Sequence, residues 1–340
     1  MWFGSPGSGS ALTDAQKAGD SQYSTGGHET IQSIFNSTTC FDLMRNSSKL
    51  VLFENTIPFQ LAFLALVEHD TDVAPIWDPE KRTFIALLTA RDFIFTLYRR
   101  LLNATDNTVT SAVTLPISEI LVLEDPIFVH NDFNSMDAED SVHQLCASLG
   151  RLDAEYVPVV DPDEGSLVAI LGYMDILHLL VQMAQRMPTM FSTSIHAASI
   201  GRVRAVPTAS RTSTLSEVLA VMDDRDMNCI PVTDAAGKVV GLYQLSDVAY
   251  ISKQITAETG AINFDEYLIG DILDVQQQSN GASPLYSCTC TLQDSLKTVI
   301  EKMVNGRLTR LVCVDASGCC IGILGVKEVI SYIFPDDSPM

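Results

Sequence analysis

The sequence predicts an α/β (α+β) protein built from four like units in tandem. A short apolar segment that ends in aspartate recurs four times, an apolar strand follows each copy, and a second acid stands 13 or 14 residues after the first. Internal repetition decides the predicted fold, because each copy of the repeat is then one supersecondary unit. The segments end at Asp78, Asp161, Asp234 and Asp315, and the second acids are Asp92, Asp175, Asp247 and Glu328.

Each unit reads as strand, helix, strand, strand and helix. Apolar residues at helical spacing predict the first helix of unit one from Phe59 to about Glu68. Its counterparts are predicted at Ala138–Leu149, Leu215–Met222 and Leu292–Val304. Thr214 and Thr291 precede the last two and are the predicted N-caps. The two longer strands are joined by turns rich in Asp, Pro, Glu and Gly, and the second helix of each unit begins at the second acid.

One unit alone has too little partner surface to cover its apolar face, so we expect units to pair. Units one and two, and units three and four, would then form two modules of the usual domain size. The units are predicted at residues 31–112, 113–185, 198–260 and 268–335. Residues 1–30 are rich in Gly, Ser and Thr and are predicted to be a disordered leader.

Composition excludes several classes of protein. The net charge of −21 disfavours nucleic acid, whose phosphates would be repelled, and fits a solvated surface or docking on a basic partner. No apolar run approaches the roughly 18 residues of a membrane span, and no signal peptide is predicted. We therefore expect a cytoplasmic protein, with the nucleus as a second location. Eight cysteines without CxxC spacing indicate reduced thiols, with no metal site.

Thr89 and Asp92 form the most informative local motif, because they stand three apart where a strand is predicted to turn into a helix. In one interpretation the carboxylate binds the vicinal diol of a ribose, while the hydroxyl and the helix N-terminus face a phosphate. In the other, the same spacing is a capping box that satisfies the helix end. Recurrence of the acid in all four units keeps both interpretations open.

At these motifs the chain resembles a known family. It is similar to a tandem array of four CBS domains, and specifically to the γ regulatory subunits of AMP-activated-type protein kinases. The resemblance covers about residues 31 to 333 and is strongest in Cys40–Val51, Ala74–Asp78 and Leu87–Ile94. It implies two paired modules that form a flat disc and bind AMP, ADP or ATP at central interfaces, with no obligatory cofactor. It also implies a kinase catalytic α-type subunit and a scaffold β-type subunit as partners.

The resemblance assigns ribose binding to the acid after the third strand of each unit. Only Asp92, together with Thr89, matches the family motif in full, because Gly172, Gln244 and Gly325 replace the hydroxyl in the other units. The acids behind those three residues are Asp175, Asp247 and Glu328.

The positions that the resemblance assigns to phosphate are mostly changed in charge. Asp72 replaces the arginine that the family has in unit one, and Glu155 replaces one member of the family's His-Arg pair in unit two. In unit four, Arg310 is the one member of the pair that this chain retains. A carboxylate about 4 Å from a phosphate charge costs on the order of 4 kcal/mol at an effective dielectric constant near 20, before screening. We therefore expect weakened nucleotide binding in a minority of the four pockets. The phosphate-side candidates are Asn228, Asp247 and Arg310.

The implied function is that of a non-catalytic γ-type regulatory subunit of a heterotrimeric serine/threonine kinase that senses adenine nucleotides. A ligand that prefers one arrangement of the units would bias the kinase. The alternative is a standalone CBS array that senses an adenosine ligand, or a nucleotide-free scaffold, and regulates other enzymes. The segment Phe41–Phe53 separates the two, since it should pack on a partner strand in a kinase complex. An enzyme is not expected, because no residue set offers a nucleophile and a base.

Overall fold

The computed structural model describes residues 29–44, 50–69, 71–102, 115–122, 133–201, 206–248, 264–280 and 288–334. Four three-stranded mixed sheets lie within these ranges, one in each unit, which confirms the predicted fold class and the fourfold repeat. Residues 1–28 of the predicted leader lie outside the described residues, whereas residues 29 and 30 already belong to a helix.

The described elements follow the predicted order, except that unit three has a 3-10 turn where the second helix was predicted to begin. The second helices of the other units begin two residues before the second acid and not at it. Unit one contains β1 (Phe53–Glu54), a first helix (Phe59–Glu68), β2 (Val73–Asp78), β3 (Thr83–Thr89) and a second helix (Ala90–Leu102). Unit two contains β4 (Met136–Asp137), a first helix (Val142–Arg151), β5 (Tyr156–Val160), β6 (Leu167–Gly172) and a second helix (Tyr173–Arg186). Unit three contains β7 (Ala209–Ser210), a first helix (Leu215–Asp224), β8 (Cys229–Thr233), β9 (Val239–Gln244) and a 3-10 turn (Leu245–Val248). Unit four contains β10 (Thr289–Cys290), a first helix (Leu296–Gly306), β11 (Arg310–Val314), β12 (Cys320–Gly325) and a second helix (Val326–Ile333).

The first recurring acid of each unit closes the hairpin between the two longer strands. Asp234 is typical: its Oδ1 accepts the backbone N–H groups of Ala236 and Lys238, each at 2.9 Å. A short aspartate side chain can bond its own backbone in this way and so stabilises a turn. Asp315 accepts the equivalent two N–H groups, and Asp78 and Asp161 accept those two and three residues further on. This acid is therefore repeated for a structural reason.

Two first helices begin later than predicted, because a different residue caps them. In unit two, Ser141 accepts the Gln144 N–H and the Gln144 side chain accepts the Ser141 N–H, so the helix begins at Val142 rather than near Ala138. In unit four the N-cap is Ser295, and the prediction of Thr291 was wrong. Thr291 instead donates its hydroxyl to Asp294 within the preceding turn. Both caps satisfy N–H groups that the first helical turn leaves unpaired.

The short segment that precedes each unit, here called its lead segment, hydrogen-bonds to the other unit of the same pair. The segment before unit one bonds to the start of the unit-two helix, where Cys40 N donates to Asp140 O at 2.8 Å and Val142 N donates to Thr38 O at 2.9 Å. The segment before unit two bonds in return to unit one, where Ile117 N donates to Ile57 O at 3.0 Å. The same exchange links units three and four through Leu215–Tyr267, Ile269–Ser213, Ile195–Asp294 and Leu296–Thr193. Units one and two, and units three and four, are thus paired as predicted, while the predicted unit boundaries remain predictions.

Two apolar cores each contain residues from both modules and so join them. One core contains the helices of units one and three, with Phe93 and Leu219 fully buried. The other contains those of units two and four, where the second helix of unit two packs on the first helix of unit four through residues such as Leu180 and Ile300. Each unit therefore contacts one neighbour through its lead segment and another through its helices. This arrangement brings the starts of β2, β5, β8 and β11 towards one another.

We find no helix in the described part of the chain that has the length and apolar character needed to span a bilayer.

Candidate functional site

Each second acid is the third residue of a helical segment, which in unit three is a 3-10 turn, and it caps the start of that segment. Asp92 Oδ2 accepts both the backbone N–H and the hydroxyl of Thr89, each at 2.7 Å. Asp175, Asp247 and Glu328 accept the N–H three residues earlier at 2.9, 2.7 and 2.9 Å. The repeated acid therefore acts as a helix cap, as the capping interpretation predicts. The ribose interpretation stays a prediction.

Burial divides the four acids into two pairs. Asp92 and Asp247, in units one and three, are each only 4% exposed. Asp175 and Glu328, in units two and four, are half-buried. A ligand approaching from solvent can therefore reach the second pair without a rearrangement of the core.

Asp247 is the most perturbed of these acids. Burial raises its pKa from 3.8 to about 7, and the nearby charge of Asp72 adds to the rise. Hydrogen bonds from the Gln244 N–H and from Gln276 Nε2, the latter at 3.1 Å, oppose it. A carboxyl group in this environment is partly protonated near neutral pH and is a weaker acceptor for a ribose diol than an ionised one.

Glu328 reaches its helix cap because residue 325 has no side chain. A Cβ placed at Gly325 would meet Glu328 Oε2 at 2.5 Å, which is closer than real Cβ contacts. The glycine that replaces the hydroxyl of the family motif therefore makes room for the longer acid. The remaining carboxylate surface of Glu328 faces a cavity.

That cavity, here called the unit-four cavity, has a volume of about 290 Å³. This lies close to the lower limit of about 300 Å³ for small-molecule pockets. Its polar lining is formed by Glu155, Tyr173, Thr309, Arg310, Lys327 and Glu328. Two of the predicted site residues, Arg310 and Glu328, are thus brought to one cavity, next to the Thr309 hydroxyl.

A polar network beside the cavity connects all four units. Arg310 Nη1 of unit four lies 3.4 Å from Glu155 Oε1 of unit two, and Asn228 Nδ2 of unit three donates to the same oxygen at 2.9 Å. Arg91 of unit one donates to Asn228 Oδ1 and also pairs with Asp226. The predicted residues Asn228 and Arg310 are therefore connected, but through a carboxylate.

Residues at equivalent repeat positions converge in this region. Asp72, Glu155, Asn228 and Thr309 each stand three residues before the central proline or valine of the following strand. Asp72 is hydrogen-bonded to Tyr156, whose pKa is raised well above its usual value by burial first and by Asp72 second. Cys229 lies within electrostatic range of Arg310, Glu155 and Asp247, and burial raises its pKa to about 11. The grouping of Asp247 with Arg310 and Asn228 stays a prediction.

Sequence reasoning missed two residues of the network. The sequence pattern assigns no role to Arg91, although it lies between Thr89 and Asp92, and it predicts for Glu155 only repulsion of a phosphate. The signal was present in the repeat alignment, since Glu155 and Asn228 occupy the same repeat position. Thr89 and Asp92 bond to each other, and Asp175 caps its own helix.

Among the described residues, no three His, Cys, Asp or Glu side chains are grouped closely enough to hold a metal ion. The described cysteines are free thiols, and five of the eight are buried: Cys40, Cys229, Cys288, Cys290 and Cys313.

Comparison with known proteins agrees with this architecture. The family model for the CBS domain matches residues 200–253 and 284–335. The γ-3 subunit of 5′-AMP-activated protein kinase from Sus scrofa is 27% identical over 308 residues, which cover 87% of this chain and 56% of the relative. The γ subunit from Dictyostelium discoideum is 26% identical over 318 residues, which cover 93% of this chain and 54% of the relative. The chain thus spans about half the length of these curated relatives.

A solved structure shares the fold. A protein from Methanocaldococcus jannaschii, proposed as an archaeal homologue of the γ subunit, superimposes with a TM-score of 0.65 at 16% identity over 87% of this chain and 99% of its own. That identity establishes a common fold and nothing about ligands. The chain thus has CBS-domain matches at residues 200–253 and 284–335, and over most of its length it is similar in sequence to γ subunits of 5′-AMP-activated protein kinase.

Proposed function

We propose that this protein is a non-catalytic γ-type regulatory subunit of a heterotrimeric AMP-activated-type serine/threonine kinase. It would assemble with a catalytic α-type and a scaffold β-type subunit in the cytoplasm. It would bind AMP, ADP or ATP, with weakened phosphate contacts, in a minority of its four units. The observation that carries the proposal is the unit-four cavity, where Thr309, Arg310 and Glu328 meet in a chain whose sequence relatives are γ subunits.

The chemistry of the cavity suits an adenosine-type ligand. Glu328 can accept hydrogen bonds from a vicinal diol, since only one of its oxygens is held by the Gly325 N–H. Tyr173 offers an aromatic ring, and burial raises the pKa of its hydroxyl so that it stays protonated. Arg310 is the cation that can face a phosphate.

Restriction to a minority of units follows from burial. In units one and three the second acids, Asp92 and Asp247, are sealed from solvent at 4% exposure. A ribose could reach them only if core side chains moved. The unit-four cavity requires no such movement, and we therefore assign the principal ligand site to it.

Exposed apolar residues near the first unit support assembly with a partner. Phe41 is 68% exposed and Leu52 is 50% exposed, and both lie in the segment that the sequence analysis assigned to contact with a partner strand.

Assembly is tested by co-expressing the full chain with α-type and β-type subunits and purifying the complex through a tag on the α-type subunit. The wild type should co-purify in stoichiometric amount, and Phe41→Asp should reduce recovery several-fold. Leu61→Asp is the matched control, because Leu61 is 53% exposed but lies on the first helix of unit one, outside that segment. Failure of the wild type to co-purify, together with retained ligand binding, would favour the standalone sensor.

The ligand site is tested by calorimetric titration of AMP, ADP and ATP into the full chain. Arg310→Ala should weaken binding about tenfold, because the charge of Glu155 would then face the phosphate without compensation. Lys297→Ala, which removes a cation of unit four outside the cavity lining, should leave binding unchanged. If the wild type and Arg310→Ala bind these nucleotides with equal affinity, the nucleotide site is not the unit-four cavity.

A further inference from the structure

We propose that Glu155 is a built-in anion that occupies Arg310 and so determines the charge of the ligand that the unit-four cavity accepts. The inference concerns the cavity assigned above and rests on that proposed function for its biological role. In this account Glu155 is a specificity-determining residue. It favours a ligand that places no negative charge beside Arg310, such as a nucleoside, over one that does, such as a nucleotide.

The contact between Glu155 and Arg310 is shielded from water on most sides. Arg310 Nη1 lies 3.4 Å from Glu155 Oε1, and the two side chains are 26% and 33% exposed. An ion pair at this level of burial is screened less than one on the surface. An anionic ligand must therefore compete with a carboxylate that is already in place.

Glu155 is held in position by two further units. Asn228 Nδ2 donates to the same carboxylate oxygen, and Arg91 in turn donates to Asn228 Oδ1. A carboxylate fixed by neighbouring donors loses little entropy when it pairs with Arg310. The arrangement is consequently pre-organised for Arg310 and does not depend on a chance rotamer of a surface glutamate.

The other charges among the described lining residues offer an anion little else. Lys327, the second cation among them, pairs with Asp153 on the outside and lies 5.9 Å from the Tyr173 ring. Glu328 adds a second carboxylate to the lining. Each cation among the described lining residues thus has an acid as its partner, so these residues offer a phosphate no uncompensated positive charge.

Displacement of Glu155 would also have a structural consequence. The same carboxylate connects unit two to unit three through Asn228 and to unit four through Arg310. A ligand anion strong enough to take Arg310 would release Glu155 from one of these connections. Binding of an anion would therefore be coupled to the arrangement of the units, whereas binding of an uncharged ligand would not.

The test uses inorganic pyrophosphate as a probe, since it carries negative charge but needs no recognition of adenine or ribose. Calorimetric titration of the full chain compares the wild type with Glu155→Gln, which keeps an acceptor oxygen for Asn228 and removes only the charge. Glu155→Gln should bind pyrophosphate at least about tenfold more tightly. Glu164→Gln is the matched control, because it removes the same charge from an exposed hairpin turn. The double variant Glu155→Gln with Arg310→Ala should return to the wild-type affinity.

Two outcomes decide the inference. A folded Glu155→Gln protein that binds pyrophosphate no better than the wild type overturns it. If that variant does not fold, Glu155→Asp replaces it, since the shorter side chain draws the charge away from Arg310. An unchanged affinity in that variant overturns the inference equally.

Adenosine is titrated in parallel. Loss of adenosine binding in every protein would refute the proposed ligand site, while a gain in pyrophosphate binding would still support the role of Glu155.

Discussion

Units one and three differ from units two and four in how they use the same repeated acid. In units one and three the acid is sealed in the core, and Asp247 carries a raised pKa as a result. In units two and four the acid is half-buried, and Glu328 faces a cavity. The repeated acid therefore caps a helical turn in all four units, whereas access from solvent decides which copy can also bind a ligand.

The junctions between units of different modules are alike in carrying charge. Units one and three are joined by ion pairs as well as by apolar packing: Arg99 makes two contacts to Asp223, at 3.1 and 2.7 Å, and Arg91 pairs with Asp226. Units two and four also combine apolar packing with ion pairs, from Arg310 to Glu155 and from Lys327 to Asp153. The difference between the two pairs of units therefore lies in the burial of the repeated acid and not in the charge of the junction.

The largest effect is expected from Asp247→Asn. The folded chain retains the Asp247 proton between about pH 4 and pH 7, where the unfolded chain has lost it, so this group reduces stability as pH rises through that window. Asparagine carries no charge, so the variant does not lose this stability as the pH rises. The variant should be more stable than the wild type at about pH 8, by up to about 4 kcal/mol from a rise of about three pKa units, and nearly equal at pH 4.

Urea unfolding at several pH values measures this difference. Asp234→Asn is the control, because it removes the same charge at an exposed hairpin where asparagine can still accept the turn hydrogen bonds. A stability gain for Asp247→Asn that is the same at both ends of the pH range would contradict the buried-acid account.

A second prediction breaks the charged junction. Arg99→Ala should lower the free energy of unfolding by about 2 kcal/mol, because it leaves a partly buried Asp223 without its two charge-assisted hydrogen bonds. Arg211→Ala removes a pair of similar geometry to Asp274 whose side chains are 38% and 50% exposed. That variant should cost less than about 1 kcal/mol. Equal losses in thermal or urea unfolding would remove the distinction between the two kinds of contact.

A third prediction concerns binding. Glu328→Gln should weaken adenosine binding about tenfold, because a neutral amide is a weaker acceptor for a diol than a carboxylate. Asp92→Asn should leave adenosine binding unchanged, since its carboxyl group is sealed from solvent. Calorimetry of both variants decides the matter: a larger loss in Asp92→Asn would place the ligand in unit one.

The smallest effect should be the same in both halves of the molecule. Ser295→Ala in unit four and Thr214→Ala in unit three each remove an N-cap and should each cost about 1 kcal/mol. Ser210→Ala, beside the unit-three cap, serves as a control and should cost less. If urea unfolding shows that one of the two cap substitutions leaves the free energy of unfolding unchanged, the two halves differ in their scaffold as well as in their acids.

Sequence reasoning went furthest where local rules act. The first helix of unit one and the hairpin acids follow from spacing and turn chemistry, so they are readable from a few adjacent residues. The cap of unit four was misassigned because Thr291 and Ser295 both suit a helix start, and only the turn made by Asp294 decides between them. The pairing of Glu155 with Arg310 joins residues 155 positions apart through three-dimensional packing of the units. The sequence offered the charge change but not the partner.

The central claim is that the accessible half of the molecule holds an adenosine-type site whose arginine is already neutralised by Glu155. The most direct measurement is the ratio of adenosine to AMP affinity for the wild-type chain by calorimetry at physiological salt. The account predicts that the two ligands bind within about threefold of each other, because the phosphate gains no free cation. AMP binding more than about thirtyfold tighter than adenosine, or no binding of either, would contradict it.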